Sequence, residues 1–298
     1  SFLLANYLSC FVWLLSSLIL KRLVTKLNYT HKSKLILIFI YSYCFPILTI
    51  YSSITLREVY ILLLINIFLF SIISFLLEKK LIIKIYYLIV ILIVALLMLI
   101  LHRSNLYFLI LFFPIMFLYF VIIKFKLNIY IILSIILFSI IPFHFFGILE
   151  IPFNMIKGYQ SGHFNNFDFF RAVYYSAVDV KNRSYTMISF FAVIFSNFYN
   201  YMFQPTIFKV SNVADILLWY ENILRVTLLT IGIARFSYKF KRIDIFNIFL
   251  ISFVLMEFVY AQGTINWGTA SRHHLPVIGA LVLLAFYPSK KYSNEKYK

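Results

Sequence analysis

The sequence predicts an all-α fold: a polytopic integral membrane helical bundle with about nine to eleven transmembrane helices. Hydrophobic residues make up 63% of the chain and charged residues 12%, against about 25% charged residues in soluble domains. A helical span takes about 20 apolar residues, so 298 residues leave little room for domains outside the membrane. Continuous apolar runs such as residues 85–101 lack the alternation of barrel strands, which leaves helices as the spanning elements.

Basic residues between the apolar runs predict how the spans are oriented. The formal charge of +17 falls in short Lys/Arg clusters, which mark the cytoplasmic side of a membrane protein. On this rule the first span ends in the cytoplasm and the following spans alternate in direction. The first six predicted spans are residues 2–20, 35–54, 60–77, 85–101, 106–123 and 127–146. Arg and aromatic residues are not interleaved as in nucleic-acid-binding proteins, so we expect no nucleic-acid partner.

The second half of the chain contains the only sizeable predicted loop, residues 147–187, on the outward side. If residues 188–203 then crossed the membrane, the basic cluster that begins at Arg235 would lie outward, against the charge bias. We therefore predict that residues 188–203 form a re-entrant element, shielded by protein or a water-filled cavity. The remaining predicted spans are residues 213–234, 245–261 and 274–287. Residues 1–298 are expected to form a single transmembrane domain.

The stretch GTINWGTASRHHLP, residues 263–276, concentrates polar residues between two very hydrophobic segments. A simple turn between spans would not explain its Asn266, Arg272, His273 and His274. Adjacent histidines on a helix point about 100° apart, and no HxxxH or HExxH motif accompanies them, so no metal is expected. The chain also lacks a glycine-rich phosphate loop and a nucleotide-binding fingerprint, so no cofactor is expected.

Further ionisable residues are expected near the same membrane surface. Arg57 and Glu58 precede the third span, while Glu221 and Arg225 lie four residues apart on one face of a predicted helix. Each pair leaves two interpretations open, a structural ion pair or groups that act on a substrate. His102, single at a span boundary, is interpreted as an interfacial residue. Guanidinium groups bind phosphate through paired hydrogen bonds, so the arginines favour an anionic lipid-linked substrate such as a polyprenyl diphosphate.

Three stretches of the sequence carry a resemblance to a known family. They are FQPTIFKVSNVADILLWYENILR (residues 203–225), NWGTASRHHLP (residues 266–276) and, more weakly, SITLREVY (residues 53–60). The first has an aromatic-x-Pro turn, a Ser and a helix with Glu-Asn, and the second is similar to an Asn-x-Gly-Thr-Ala-x-Arg-His-Arg segment. In these features the chain resembles the Wzy-like polysaccharide polymerases of bacterial O-antigen and capsule gene clusters. His274 departs from the pattern, since a second Arg is frequent at that position.

The resemblance implies a metal-independent glycosyltransferase in the bacterial inner (cytoplasmic) membrane, with its active site facing the periplasm. Such an enzyme joins oligosaccharide repeat units linked to undecaprenyl diphosphate into O-antigen or capsular polysaccharide. Membrane lipid and a chain-length regulator protein are the further partners that the resemblance implies.

Nine residues form the candidate site on this hypothesis. The residues expected to bind the substrate are Arg57, Arg225, Arg272, His274, Asn266 and Gly268. The three arginines would stabilise the diphosphate leaving group, and the glycine would let the backbone approach the substrate. The candidate bases for the acceptor hydroxyl are, in order, Glu58, His273 and Glu221.

Three alternatives to a polymerase stay open at the level of the sequence. A flippase or transporter for lipid-linked oligosaccharide would use the same phosphate-binding arginines, but internal repeats would be expected, and none is visible. A glycan ligase would use nearly the same site with a different acceptor. A structural subunit of an export complex would not need Arg, His and Glu concentrated on one side.

Overall fold

The computed structural model describes residues 2–45, 57–102, 104–125, 138, 140–166, 174, 179–180, 182–234 and 245–287. These residues are mostly helical, and no strand occurs among them. The principal helices are α1 (Phe2–Lys26), α2 (His31–Tyr43), α3 (Arg57–Leu77), α4 (Leu81–Leu101), α5 (Ser104–Phe125), α6 (Glu150–Asn166), α7 (Met187–Phe203), α8 (Val213–Ala234), α9 (Ile245–Gly263), α10 (Trp267–His273) and α11 (Ile278–Ala285). The all-α prediction is confirmed for this part of the chain.

Six of these helices are long and apolar enough to cross a membrane, namely α1, α3, α4, α5, α8 and α9. The prediction of a multi-pass membrane protein is therefore supported. Two predicted spans, residues 35–54 and 127–146, lie partly outside the described residues. Residues 274–287 do not form one continuous helix, because the 3₁₀ turn Leu275–Val277, with Pro276 in it, separates α10 from the eight-residue α11.

The short helix α11 lies inside the bundle. Every residue from Ile278 to Ala285 is buried, although α11 is too short to cross a membrane by itself. Its Gly279 approaches the side chain of Asn66 on α3 so closely that a Cβ atom would collide with it. Asn66 Nδ2 also donates to Ser16 Oγ on α1 at 2.6 Å, and Ser16 pairs with Tyr41 OH at 2.8 Å. These contacts tie α1, α2, α3 and α11 together.

The bundle has two ends with different chemistry. At one end, which we call the site end, α3 and α10 begin and α4 and α9 finish. The rings of His102 and Tyr260 lie 5.5 Å apart there. At the opposite end, which we call the basic end, Lys26 Nζ donates to Ser74 Oγ at 2.8 Å. Arg57 and Glu58 lie at the site end too, near enough for their charges to act on His102.

Helices α6 and α7 pack against the site end. Part of residues 147–187, predicted as a loop, forms the helix α6. Phe153 of α6 packs with Phe190 of α7 in a small apolar cluster, separate from the main core. Farther along α7, Asn197 Nδ2 donates to Gln262 Oε1 at the end of α9, at 3.2 Å. The segment predicted as re-entrant is therefore a helix of 17 residues that is held against α9.

Candidate functional site

Helix α10 lies within the polar stretch of residues 263–276. The side chain of Asn266 caps its first turn by accepting from the N–H of Thr269 at 2.7 Å. Trp267 Nε1 donates to Asp215 Oδ1 at the start of α8, at 2.8 Å. The stretch is thus a two-turn helix anchored at its N-terminus, and its last turn holds Arg272 and His273.

His273 is the centre of a polar group that we call the histidine site: Glu58, His102, Tyr260, Thr264 and His273. The ring of His273 stacks on the ring of Tyr260 at 4.9 Å and lies edge-on to that of His102 at 5.7 Å. His273 Nδ1 lies 2.9 Å from Thr264 Oγ1. The hydroxyl of Tyr260 donates to Asn105 Oδ1 at 3.1 Å, so the stacked ring is itself fixed in place.

The hydrogen bonds of Thr264 assign the tautomer of His273. The hydroxyl of Thr264 has one hydrogen, which it donates to the carbonyl of Tyr260 at 2.8 Å. Because a carbonyl can only accept, the contact with His273 must be a hydrogen bond from Nδ1–H to Thr264 Oγ1. The proton of neutral His273 is therefore on Nδ1. Its Nε2 carries a lone pair and has no hydrogen-bond partner among the described residues.

His102 has the opposite tautomer. Its Nδ1 accepts from the backbone N–H of Ser104 at 3.1 Å, which leaves the proton of a neutral ring on Nε2. Burial lowers the pKa of His102 to about 4, and the charge of Arg57 acts in the same direction, while Glu58 opposes them. Near neutral pH the site therefore contains one imidazole that can donate from Nε2 and a second that can accept at Nε2.

Two guanidinium groups flank His273. Arg57 Nε lies 3.3 Å from Glu58 Oε1, with the arginine side chain 53% exposed and the carboxylate buried. Arg272 is partly exposed and has no ion-pair partner among the described residues. Burial is the main reason why the pKa of His273 is well below its usual value, and the charges of His102, Arg272, His274 and Arg57 lower it further. His273 is thus a neutral base beside positive charge.

A second polar group lies deeper in the bundle, and we call it the arginine cluster: Arg225, Glu257, His274, Tyr201 and Asn222. Arg225 Nη1 lies 3.9 Å from Glu257 Oε1, and His274 Nδ1 lies 2.7 Å from Glu257 Oε2. His274 Nε2 faces the carbonyl of Tyr201 at 3.2 Å. Arg225 Nη2 also donates to Asn222 Oδ1. One carboxylate is therefore shared by an arginine of α8 and the histidine that caps α10.

Several polar atoms of the arginine cluster are not satisfied by the described residues. Arg225 Nε and Nη1, Glu257 Oε1 and Tyr201 OH are buried and have no hydrogen-bond partner there. Unsatisfied buried polar atoms are costly, so a cluster of them marks a place that water or a ligand group can stabilise.

The structure brings some of the nine predicted site residues together and separates others. Arg57, Glu58 and His273 come together at the site end, with Arg272 next to them in the chain. Arg225 and His274 are in the arginine cluster instead, and the carboxylate that the structure gives to Arg225 is Glu257. Glu221 is buried on α8 one turn before Arg225, Asn266 caps α10, and Gly268 lies within α10.

Sequence reasoning missed several members of the two groups. His102 was interpreted as interfacial, but its ring packs on Tyr260 and His273. Glu257 and Tyr260 of α9 follow a spacing of i and i+3, and Thr264, directly after the helix, continues it at i+7 as a polar stripe. That stripe was the signal that could have identified them. Among the described residues, no three His, Cys, Asp or Glu side chains are grouped as metal ligands would be.

Comparisons of the chain with protein families, curated proteins and solved structures found no match.

Proposed function

We propose that the chain is a membrane polysaccharide polymerase, a glycosyltransferase that joins repeat units linked to undecaprenyl diphosphate for O-antigen or capsule. The observation that carries the proposal is the histidine site: a neutral His273 with a free Nε2 lone pair beside Arg57 and Arg272. A hydroxyl nucleophile needs a base within hydrogen-bond reach, and a diphosphate leaving group needs positive charge. His273 can serve as the base, and Arg57 and Arg272 supply the positive charge, at the same end of the bundle.

The proposed reaction transfers a growing glycan to the next repeat unit. The acceptor sugar hydroxyl forms a new C–O bond to the anomeric carbon as the bond from that carbon to the diphosphate oxygen breaks. The hydroxyl proton passes to His273 Nε2, and undecaprenyl diphosphate leaves with the bonding electron pair. The donor and the acceptor together account for every atom and electron pair in this step.

Arg57 and Arg272 are the proposed diphosphate contacts. The side chain of Arg57 is 53% exposed, and Arg272 has no ion-pair partner among the described residues, so both can reach a ligand. Guanidinium groups bind phosphate oxygens through paired, charge-assisted hydrogen bonds. Arg225 is 2% exposed and paired with Glu257, so we assign it a structural role.

His273 is favoured over the two other candidate bases. Glu58 is buried, and its Oε1 is already paired with Arg57 Nε at 3.3 Å. Glu221 lies on α8, a helix that contributes no residue to the histidine site. His273 alone combines a fixed tautomer with a lone pair that no described residue uses.

The membrane arrangement extends the proposal. We propose a multi-pass arrangement in the bacterial inner membrane, with the site end facing the periplasm, where the repeat units are joined. Helix α7, with its contacts to Gln262 and His274, fits a re-entrant element that enters from the site end and returns through residues 204–212. Membrane lipid next to the exposed apolar faces of the spans would give the polyprenyl chain access.

A test of the function is the chain-length profile of surface polysaccharide in a strain that carries Arg272→Ala. We expect long chains to be lost and single repeat units to remain on lipid A or on the carrier. Lys209→Ala, an exposed cation on the 3₁₀ turn Ile207–Lys209, is the matched control and should leave the profile unchanged. Wild-type chain lengths at normal protein levels would refute the proposed site, and repeat units that stay on the cytoplasmic face in a null strain would indicate a flippase.

A further inference from the structure

The basic end of the bundle contains a groove that the proposed function does not use. It has a volume of roughly 510 Å³ and lies between α1 and α3. Its lining residues are Leu18, Lys21, Arg22, Thr25, Lys26 and Phe70. Five of them recur on α1 at i, i+3, i+4, i+7 and i+8, so one face of this helix forms most of the wall.

Three cations line this groove. Lys21 and Arg22 are exposed and have no ion-pair partner among the described residues. Lys26 is held in place: its Nζ donates to Ser74 Oγ at 2.8 Å and lies 5.4 Å from the centre of the Phe70 ring. The groove therefore combines one cation held by Ser74 with two exposed cations that have no ion-pair partner among the described residues.

Along α1 and α3, the apolar residues of the wall come earlier in the helix than the polar residues near its C-terminal end. Leu18 is one turn before Lys21 and Arg22, and Phe70 is one turn before Ser74 on α3. Because α1 and α3 end here, the apolar residues lie on the hydrocarbon side and the cations at the level of the headgroups. This is the order of groups along a phospholipid, from acyl chain to phosphate.

We propose that this groove binds one anionic phospholipid, with its phosphate held by Lys21 and Arg22 and the start of an acyl chain packed on Leu18 and Phe70. Charge complementarity favours an anionic headgroup, because the two exposed cations have no ion-pair partner among the described residues. The apolar wall favours a lipid over free phosphate, which would contact only the cations.

Native mass spectrometry of the full chain in detergent, titrated with phosphatidylglycerol or phosphatidylcholine, tests the site. Wild type is expected to bind one phosphatidylglycerol in preference to phosphatidylcholine. Lys21→Gln combined with Arg22→Gln should weaken phosphatidylglycerol binding by about five-fold for each cation removed, and leave phosphatidylcholine binding unchanged. Lys32→Gln combined with Lys34→Gln removes the same charge from α2, outside the groove, and should bind as wild type does.

A second variant tests the acyl-chain contact without a change in charge. It also gives a result if the double variant does not fold. Leu18→Asn retains all three cations but removes apolar contact with the acyl chain, so phosphatidylglycerol binding should weaken here too. Equal weakening by the α2 control pair would overturn the proposal, because it would show attraction to net charge alone. Complete displacement of the lipid by millimolar inorganic phosphate would also overturn it, in favour of a free-phosphate site. Neither outcome depends on the polymerase proposal, which concerns the opposite end of the bundle.

Discussion

The hydroxyl of Thr264 lies 2.9 Å from Nδ1 of His273, and the same hydroxyl donates its hydrogen to the carbonyl of Tyr260 at 2.8 Å. These two contacts keep the proton of His273 on Nδ1 and leave the lone pair on Nε2. A threonine directly after α9 thus determines which nitrogen of a histidine on α10 can act as a base.

The first prediction is that Thr264→Val lowers the rate of glycan transfer. Valine has a similar shape but cannot accept from Nδ1–H, so the tautomer of His273 is no longer fixed. We expect kcat to fall by about 10-fold to 100-fold, part of the roughly 10²–10⁴-fold that a general base supplies. The KM for the lipid-linked unit should change little, because Thr264 is not a proposed substrate contact.

Thr230→Val is the matched control for this experiment. Thr230 also donates to the carbonyl four residues earlier, that of Val226, at 2.8 Å, but it is exposed on α8 away from the histidine site. Its substitution should leave kcat unchanged. If both variants had the same kcat as wild type, the role assigned to the Thr264 hydroxyl would be wrong.

The second prediction concerns the pH dependence of the rate. Burial, followed by the charges of His102, Arg272, His274 and Arg57, holds the pKa of His273 well below 6.5. His273 should therefore stay neutral, and able to accept a proton, from pH 8 down to pH 6. We expect kcat to be level across this interval and to fall only at more acidic pH. An inflection near pH 6.5 would contradict a buried imidazole base.

The third prediction is that the protein becomes less stable as the pH falls from about 6.5 to about 4. The pKa of His102 is about 4 in the folded protein, lowered by burial and then by Arg57, against about 6.5 in the unfolded chain. Between these values the unfolded chain binds a proton that the folded protein excludes, so acid favours unfolding. Thermal melting in detergent across this range measures the effect.

His102→Asn should reduce this loss of stability, because asparagine does not titrate and its side-chain oxygen can still accept from the N–H of Ser104. His31→Asn, at an exposed position on α2, is the control and should melt with the same pH dependence as wild type. A variant of His102 with an unchanged pH dependence would exclude this residue as the cause.

The sequence was sufficient for the helical bundle, because spans depend on local hydropathy. It also predicts Arg57, His273 and Arg272 near one membrane surface, and in the structure both arginines are near enough to His273 for their charges to act on it. It also indicated correctly that His273 and His274 point in different directions, since neighbouring residues on a helix lie about 100° apart. The ion-pair partner of Arg225 could not be predicted from the sequence. The i, i+4 rule pointed to Glu221 on the same helix, whereas the partner in the structure, Glu257, is on α9 and depends on how two helices pack.

The fourth prediction is that Glu257→Gln destabilises the folded protein strongly. Glutamine keeps a hydrogen-bonding group beside His274 but removes the negative charge that faces Arg225, which is 2% exposed. An uncompensated buried charge typically costs about 3–5 kcal/mol. Addition of Arg225→Met should recover part of this loss, because no unpaired charge remains. A double variant less stable than the single one would contradict the charge argument. Glu78→Gln removes the same charge from a partly exposed carboxylate outside the core, which accepts from the N–H groups of Lys79 and Lys80, and should cost far less stability.

The fifth prediction compares two glycines that differ in the space around them. At Gly279 of α11, a Cβ atom would collide with the side chain of Asn66, which is 1% exposed and held by Ser16. Gly279→Ala should therefore lower the melting temperature, with a loss of about 1–3 kcal/mol from overpacking. At Gly158 of α6 a Cβ atom would meet nothing within 4 Å, so Gly158→Ala should be neutral or stabilising, as alanine favours helix. Equal melting temperatures for the two variants would mean that α11 does not approach α3 as closely as the structure has it.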